Sequence, residues 1–152
     1  MRLQLTKRTD YAIRACVHLA MVDRCPVSSR RIAAEMDIPD RFLPQVMADL
    51  ARAGIVGAVA GKHGGYCLRR DAADISLLEL VDATDAPQRR DRCAMQDVPC
   101  DGDPACALHQ VLARAEASFV DVFAGASIAD LAARHRAAQH GNGHRSPERT
   151  IR

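Results

Sequence analysis

The 152-residue sequence predicts a mainly α protein in which two short helices meet across a tight turn, a small β hairpin follows, and a long helix comes after an irregular segment. Three observations predict this class. Aromatic residues make up only 3% of the chain and there is no Trp, so Ala, Leu, Val and Ile must build the core, which suits closely packed helices better than a β-sandwich. Apolar residues recur at three- and four-residue steps in several separate stretches, the period of one helix face. One short stretch, Ile55 to Arg69, instead places two β-prone runs around a glycine-rich turn. The length fits one core with an appendage, not two independent domains.

From Thr9 to about Asp23, the residues Ala12, Cys16, Leu19 and Ala20 describe one face of a helix, with Thr9 or Asp10 as its cap. After Cys25-Pro26, Ser28 or Ser29 precedes a short helix over residues 30–36 that turns Ile32, Ala33 and Met36 to one side. Asp37 to Asp40 breaks it. A longer pattern then runs to Ala53 with Phe42, Leu43, Val46, Met47 and Leu50 inward, and Gly54 stands where a helix ends. Two helices so joined form a helix-turn-helix. Ile55 to Ala60, the turn Gly61-Lys62-His63-Gly64-Gly65 and Tyr66 to Arg69 then make a wing with a basic tip. Asp74 or Ser76 caps a further helix that ends near Thr84.

Residues 85–106 show neither period, only Pro, Gly, Asp, Arg and three cysteines; so long a loop points to function or disorder. Beyond it, Leu108, Val111, Leu112, Ala115, Phe119, Val122 and Phe123 form a stripe along about 25 Å of helix, suited to packing against a partner subunit. Ser127 caps a last helix to about Ala138. The organisation read from these elements is a winged-helix DNA-binding domain over 1–84, a cysteine-containing sensor loop over 85–106, a dimerisation helix and C-terminal helix over 107–138, and a disordered tail over 139–152.

The formal net charge of +2 conceals segregation: residues 1–70 carry +6, residues 71–106 carry −6 and residues 107–152 carry +2. The N-terminal segment can meet a polyanion, whereas phosphate would repel the acidic one. No apolar run is long enough to cross a bilayer and no signal-type start is present, which predicts a cytoplasmic protein without a membrane partner. In that reducing compartment six cysteines argue for metal or redox chemistry over permanent disulfides.

A recognition helix presents its N-terminal residues to base edges of double-stranded DNA. Here Arg41 can reach guanine and Gln45 adenine. Pro44 lies in the first turn, where its missing N–H costs least. Ser28, Ser29, Arg30 and Arg31 at a helix start, with Lys62 and His63 at the wing tip, suit phosphate oxygens or the minor groove. The plainer reading is a protein-contact domain on which Arg41 and Gln45 are simply solvated. No grouping of Ser, His and carboxylates suggests turnover, so an enzyme is not expected.

Cys93-x6-Cys100-x5-Cys106 gathers three thiols within 14 residues. Three soft thiolates suit an iron-sulfur cluster or zinc. A metal-free thiol switch that joins two of them, and a small redox protein using the same cysteines, are the competing readings. Cys16 and Cys67 read as small core residues, and Cys25 beside Pro26 is uninformative.

Over about residues 1–135 the chain resembles the Rrf2 family of winged-helix regulators. The resemblance is carried by Met1-Arg2-Leu3 with Thr9-Asp10-Tyr11-Ala12-Ile13-Arg14, by Ile38-Pro39 through Phe42-Leu43, and by Leu50 through Gly54-Ile55-Val56. The wing Gly61 to Tyr66, Ile75-Ser76-Leu77 and Ser127-Ile128-Ala129-Asp130-Leu131 extend it. It implies a homodimer, paired through the long helix, that binds a roughly palindromic promoter site as a repressor. Ala60 stands where the family's wing often opens with Arg, so Lys62 takes that contact; Pro44 replaces a glutamate that aids DNA discrimination in cluster-biogenesis members, so the operator need not be the same. The first cysteine interval is one residue longer than the usual five.

The resemblance further implies a cluster on Cys93, Cys100 and Cys106, with two candidate fourth ligands. Asp10 matches a carboxylate that nitric-oxide-sensing members supply from the partner subunit, and its Thr-Asp-Tyr-Ala context favours a 4Fe-4S cluster. His109 matches the histidine of cluster-biogenesis members and a 2Fe-2S cluster. A carboxylate oxygen is a hard partner for iron otherwise held by sulfur, which makes such a site labile. The signal implied is nitric oxide, redox state or iron-sulfur status. Without a cluster, Asp10 is an N-terminal helix cap and His109 an exposed helix-start residue.

Overall fold

The computed structural model describes residues 5–22, 24–85 and 108–141. Helix α1 (Lys7–Met21) starts one turn earlier than expected. Thr6 is its cap and accepts from the Thr9 amide, while Thr9 is buried with its hydroxyl 2.9 Å from that of Thr84. A hydroxyl partner across the core draws Thr9 inward, and the capping role passes to the threonine one turn before it.

Helix α2 (Ser29–Glu35) is capped by Ser28, whose side chain accepts from the Arg31 amide. Asp37 turns the chain with φ +51°, Ile38 plugs the core, and α3 (Leu43–Arg52) follows with Pro44 in its first turn. Phe42, expected inward, is 42% exposed. It precedes the helical stripe, and its ring lies 5.8 Å from that of Tyr11 with the Arg41 guanidinium 4.7 Å above it. Gly54, at φ +72°, ends the helix in the left-handed conformation that glycine adopts without penalty.

The wing pairs β1 (Val56–Val59) antiparallel with β2 (Gly65–Leu68), Val56 opposite Leu68 and Val59 opposite Gly65. On the other side of β2, Val27 and Tyr66 exchange both backbone hydrogen bonds, at 3.0 and 2.8 Å. That approach explains Gly65: any Cβ there would run into the Val27 carbonyl. A 3-10 turn at Ala72–Asp74 leads to α4 (Leu77–Thr84), opened by a reciprocal Ser76–Glu79 capping box.

Helix α5 (His109–Gly125) has no buried side chain. Along its stripe Val111 and Val122 are 62% and 66% exposed, and Phe119 stacks on Phe123 at 4.1 Å. Helix α6 (Ile128–Gly141) is capped by Ser127 and runs past residue 138, so residues 139–141 are helical where a tail was expected. A bridge between Ser76 and Ser127 joins the starts of α4 and α6, with Leu77 N–H donating to Ala126 and Ile128 N–H to Ile75. Ile128 and Ala132 are buried, and α6 packs on α1. The core of the winged helix, centred on Ala12, Cys16, Met47 and Leu50, is therefore completed by a helix that follows the cysteine segment in sequence.

Candidate nucleic-acid interface and sensor residues

The two helices and the wing carry every residue expected to meet DNA, and all are exposed: Ser28, Ser29, Arg30, Arg31, Arg41, Gln45, Lys62 and His63. The Val27–Tyr66 bridge brings the start of α2 to the base of the wing. Arg41 lies in the turn before α3 and Gln45 in its first turn. Arg31 is partly committed to Glu35 on its own helix, 2.7 Å away.

Asp49, a residue the sequence pattern left unremarked, organises the recognition helix. Its side chain is only 2% exposed. Arg8 of α1 donates through Nε to Oδ2 at 2.6 Å and pairs with the same oxygen through a second guanidinium nitrogen. Arg52 grips Oδ1, and Gln45 Nε2 donates to Oδ1 at 3.3 Å. A carboxylate this deep is tolerable only because its lone pairs are filled by charged donors. Two consequences follow. The Gln45 amide is anchored through one N–H, and α1 is tied directly to α3. A signal existed: position 49 adjoins the inward stripe of Val46, Met47 and Leu50, an odd place for an unpaired acid.

Asp10 lies in the first turn of α1, its side chain 33% exposed and paired with Arg14 at 2.9 Å. Arg14 also donates to the Met36 carbonyl at 3.4 Å. His109 is the first residue of α5 and half-buried. Cys93, Cys100 and Cys106 lie outside the described residues. The last described residue before them, Asp85, accepts a 2.6 Å bond from the Thr6 hydroxyl, so the cysteine segment sets out from beside the start of α1.

The other cysteines divide. Burial pushes the Cys16 thiol up to about 12, which makes it an inert core residue. Cys67, expected as a core residue too, is instead disulfide-bonded to Cys25 with their Cα atoms 5.5 Å apart. The pairing follows from the Val27–Tyr66 bridge, which places the two positions side by side.

Exposed basic and amide side chains on a helix-turn-helix with a wing define a winged-helix DNA-binding regulator. The profile of the Rrf2 family, described as an iron-dependent transcriptional regulator, matches residues 5–134. The chain belongs to the Rrf2 family, whose members are transcription regulators and not enzymes. It is 31% identical over 138 residues to a putative Rrf2-like HTH-type transcriptional regulator of Rhodobacter capsulatus, covering 85% of this chain and 92% of that one. It is 29% identical over 131 residues to the HTH-type transcriptional regulator NsrR of Shouchella clausii, covering 85% and 88%. The structure of CymR, the global cysteine regulator of Bacillus subtilis, superposes with a TM-score of 0.72 at 21% identity, over 88% of this chain and 98% of that one. Among the described residues no helix is long and apolar enough to cross a membrane.

Proposed function

We propose that the chain is a homodimeric repressor that holds a 4Fe-4S cluster on Cys93, Cys100 and Cys106, completed by Asp10 of the partner subunit, and that it responds to nitric oxide. The observation that carries this reading is the division of labour in the first turns of α1. Arg8 grips Asp49 on the recognition helix, while two residues on Asp10 presents a partly exposed carboxylate paired, among the described residues, with half-buried Arg14. The donor set fits in kind: three thiolates and one partly exposed carboxylate. When bound, the cluster supplies iron that reacts with nitric oxide.

The rest is done by side chains. As a ligand, Asp10 would give up its pairing with Arg14. That exchange would bear on the pose of α1, which Arg8 and Asp49 tie to α3. On DNA, Arg41 reads guanine and Gln45 adenine, while Ser28, Ser29, Arg30, Arg31, Lys62 and His63 hold phosphates. The exposed stripe of α5, with Val111 and Val122, forms the dimer contact. His109 with a 2Fe-2S cluster is the second reading, supported by its place at the N-terminus of α5.

Anaerobic purification tests the proposal. The protein is expected to be brown, with bound iron and sulfide, and Asp10→Ala is expected to alter its spectrum while His109→Ala leaves it unchanged. Colourless, iron-free protein after anaerobic reconstitution refutes the cluster; a spectrum altered only by His109→Ala transfers the ligand role to the histidine.

A further inference from the structure

Cys25 and Cys67 lie outside the three-cysteine segment, and their placement is chemically pointed. Their separation of 42 residues encloses α2, α3, β1 and the wing tip, and with them every residue assigned to DNA. The backbone sets their approach: the two Val27–Tyr66 hydrogen bonds, made possible by Gly65, hold the Cα atoms 5.5 Å apart, inside the range a disulfide needs. Cys25 is exposed and Cys67 half-buried, so small thiol reagents reach the pair, unlike Cys16. A regulator of transcription works where DNA is, in a compartment whose disulfides are mostly transient and sensory.

We propose that Cys25 and Cys67 form a reversible dithiol–disulfide site that governs how firmly the wing is held to the start of α2, acting independently of Cys93, Cys100 and Cys106. The oxidant class is a low-molecular-weight disulfide such as glutathione disulfide. The Cys25 thiolate, the more exposed, attacks one sulfur of the reagent and expels one thiolate. The Cys67 thiolate then attacks the Cys25 sulfur of the mixed disulfide and expels the second. The protein dithiol loses two electrons and two protons, and the reagent becomes two thiols. Closing the bond ties the wing base at Cys67 to the residue just before the Ser28 cap region, which pre-organises Lys62 and His63 relative to α2. Pre-organisation of this kind tightens binding by about two- to tenfold.

The full chain is equilibrated anaerobically in glutathione buffers of graded ratio, and a DNA duplex selected from random sequence with the wild-type protein is the probe. The expected result is a proteolytic peptide pair linked through Cys25 and Cys67 that opens as reduced glutathione rises, with DNA affinity falling two- to tenfold over the same range. The same response is expected in the variant with Cys93, Cys100 and Cys106 all changed to Ser, and is absent in Cys25→Ser. Comparing reduced with oxidised wild type avoids any folding defect of the variants. The proposal is overturned if no such peptide pair forms, if it never opens, or if affinity is equal in both states. The cluster reading stands or falls separately, on the iron and sulfide bound by the anaerobically purified wild type, and Cys25→Ser should match that content.

Discussion

Asp49→Ala removes the acceptor that two arginines and Gln45 share. Each charge-assisted hydrogen bond contributes about 1.5–3 kcal/mol when intact. The arginine ends, however, are 44% and 72% exposed, so water re-solvates both once the carboxylate is gone. A net loss of about 2 kcal/mol follows, roughly a 30-fold fall in the folding constant, or a drop of about 1 M in the urea midpoint for a domain this size. Asp49→Asn keeps the shape and one acceptor oxygen and should lose about half as much. Because Arg8 is the partner 41 residues away, an Arg8→Ala/Asp49→Ala cycle should return a coupling of about 1 kcal/mol or more. Urea unfolding followed by circular dichroism measures all four proteins. A loss under about 0.5 kcal/mol for Asp49→Ala, the ordinary size of a surface substitution, or no coupling with Arg8, refutes the claim that this carboxylate joins α1 to α3.

His18 is buried in α1, its Nδ1 3.5 Å from Glu35, and desolvation lowers its pKa below 6.5, opposed by Glu35 and reinforced by Arg31. The unfolded chain therefore binds the proton first, so stability is complete above pH 6.5 and declines as the pH falls below it; urea midpoints between pH 8 and 5.5 should show this slope in the wild type and a flatter one in His18→Gln. Ile128→Ala should cost about 2–5 kcal/mol by thermal unfolding, although it lies beyond the cysteine segment, because Ile128 completes the winged-helix core. Lys62→Ala should reduce the salt slope of DNA binding by about 1, whereas Arg41→Ala should also relax base preference. Val111→Glu with Val122→Glu should yield monomers in analytical ultracentrifugation; an unchanged mass would exclude α5 as the dimer contact.

What was legible in the sequence was local. Ser28, Ser76 and Ser127 cap the helices they precede, Gly54 closes α3, and the glycine-rich run between Ile55 and Arg69 folds as the wing, because each of these depends on neighbours within a turn or two. What was missed depends on partners far along the chain. Thr9 looked like a cap until Thr84 stood opposite it. Asp49 needed Arg8, and Cys67 needed the knowledge that residue 27 runs beside β2. Phe42 was misplaced by a single residue of helix onset. For the candidate site the same division holds: the residues expected to meet DNA stand exposed, as their type and position suggested, whereas the Arg8–Asp49 tie that joins Asp10's helix to α3 was not legible.

The Ser76–Ser127 bridge gives the chain the plan of a cassette holder. It pins Ile75 to Ile128 at the starts of α4 and α6, so the winged-helix core closes on these two residues whatever length of chain separates α4 from α5. Lengthening a connection costs little, only about 0.6 kcal/mol per doubling. The extra residue between Cys93 and Cys100 is thus nearly neutral for the DNA-binding unit. The same plan predicts that residues 86–107 can be exchanged between related regulators, changing what is sensed while leaving the DNA reader folded; retention of the parent thermal midpoint in such a chimera would demonstrate it.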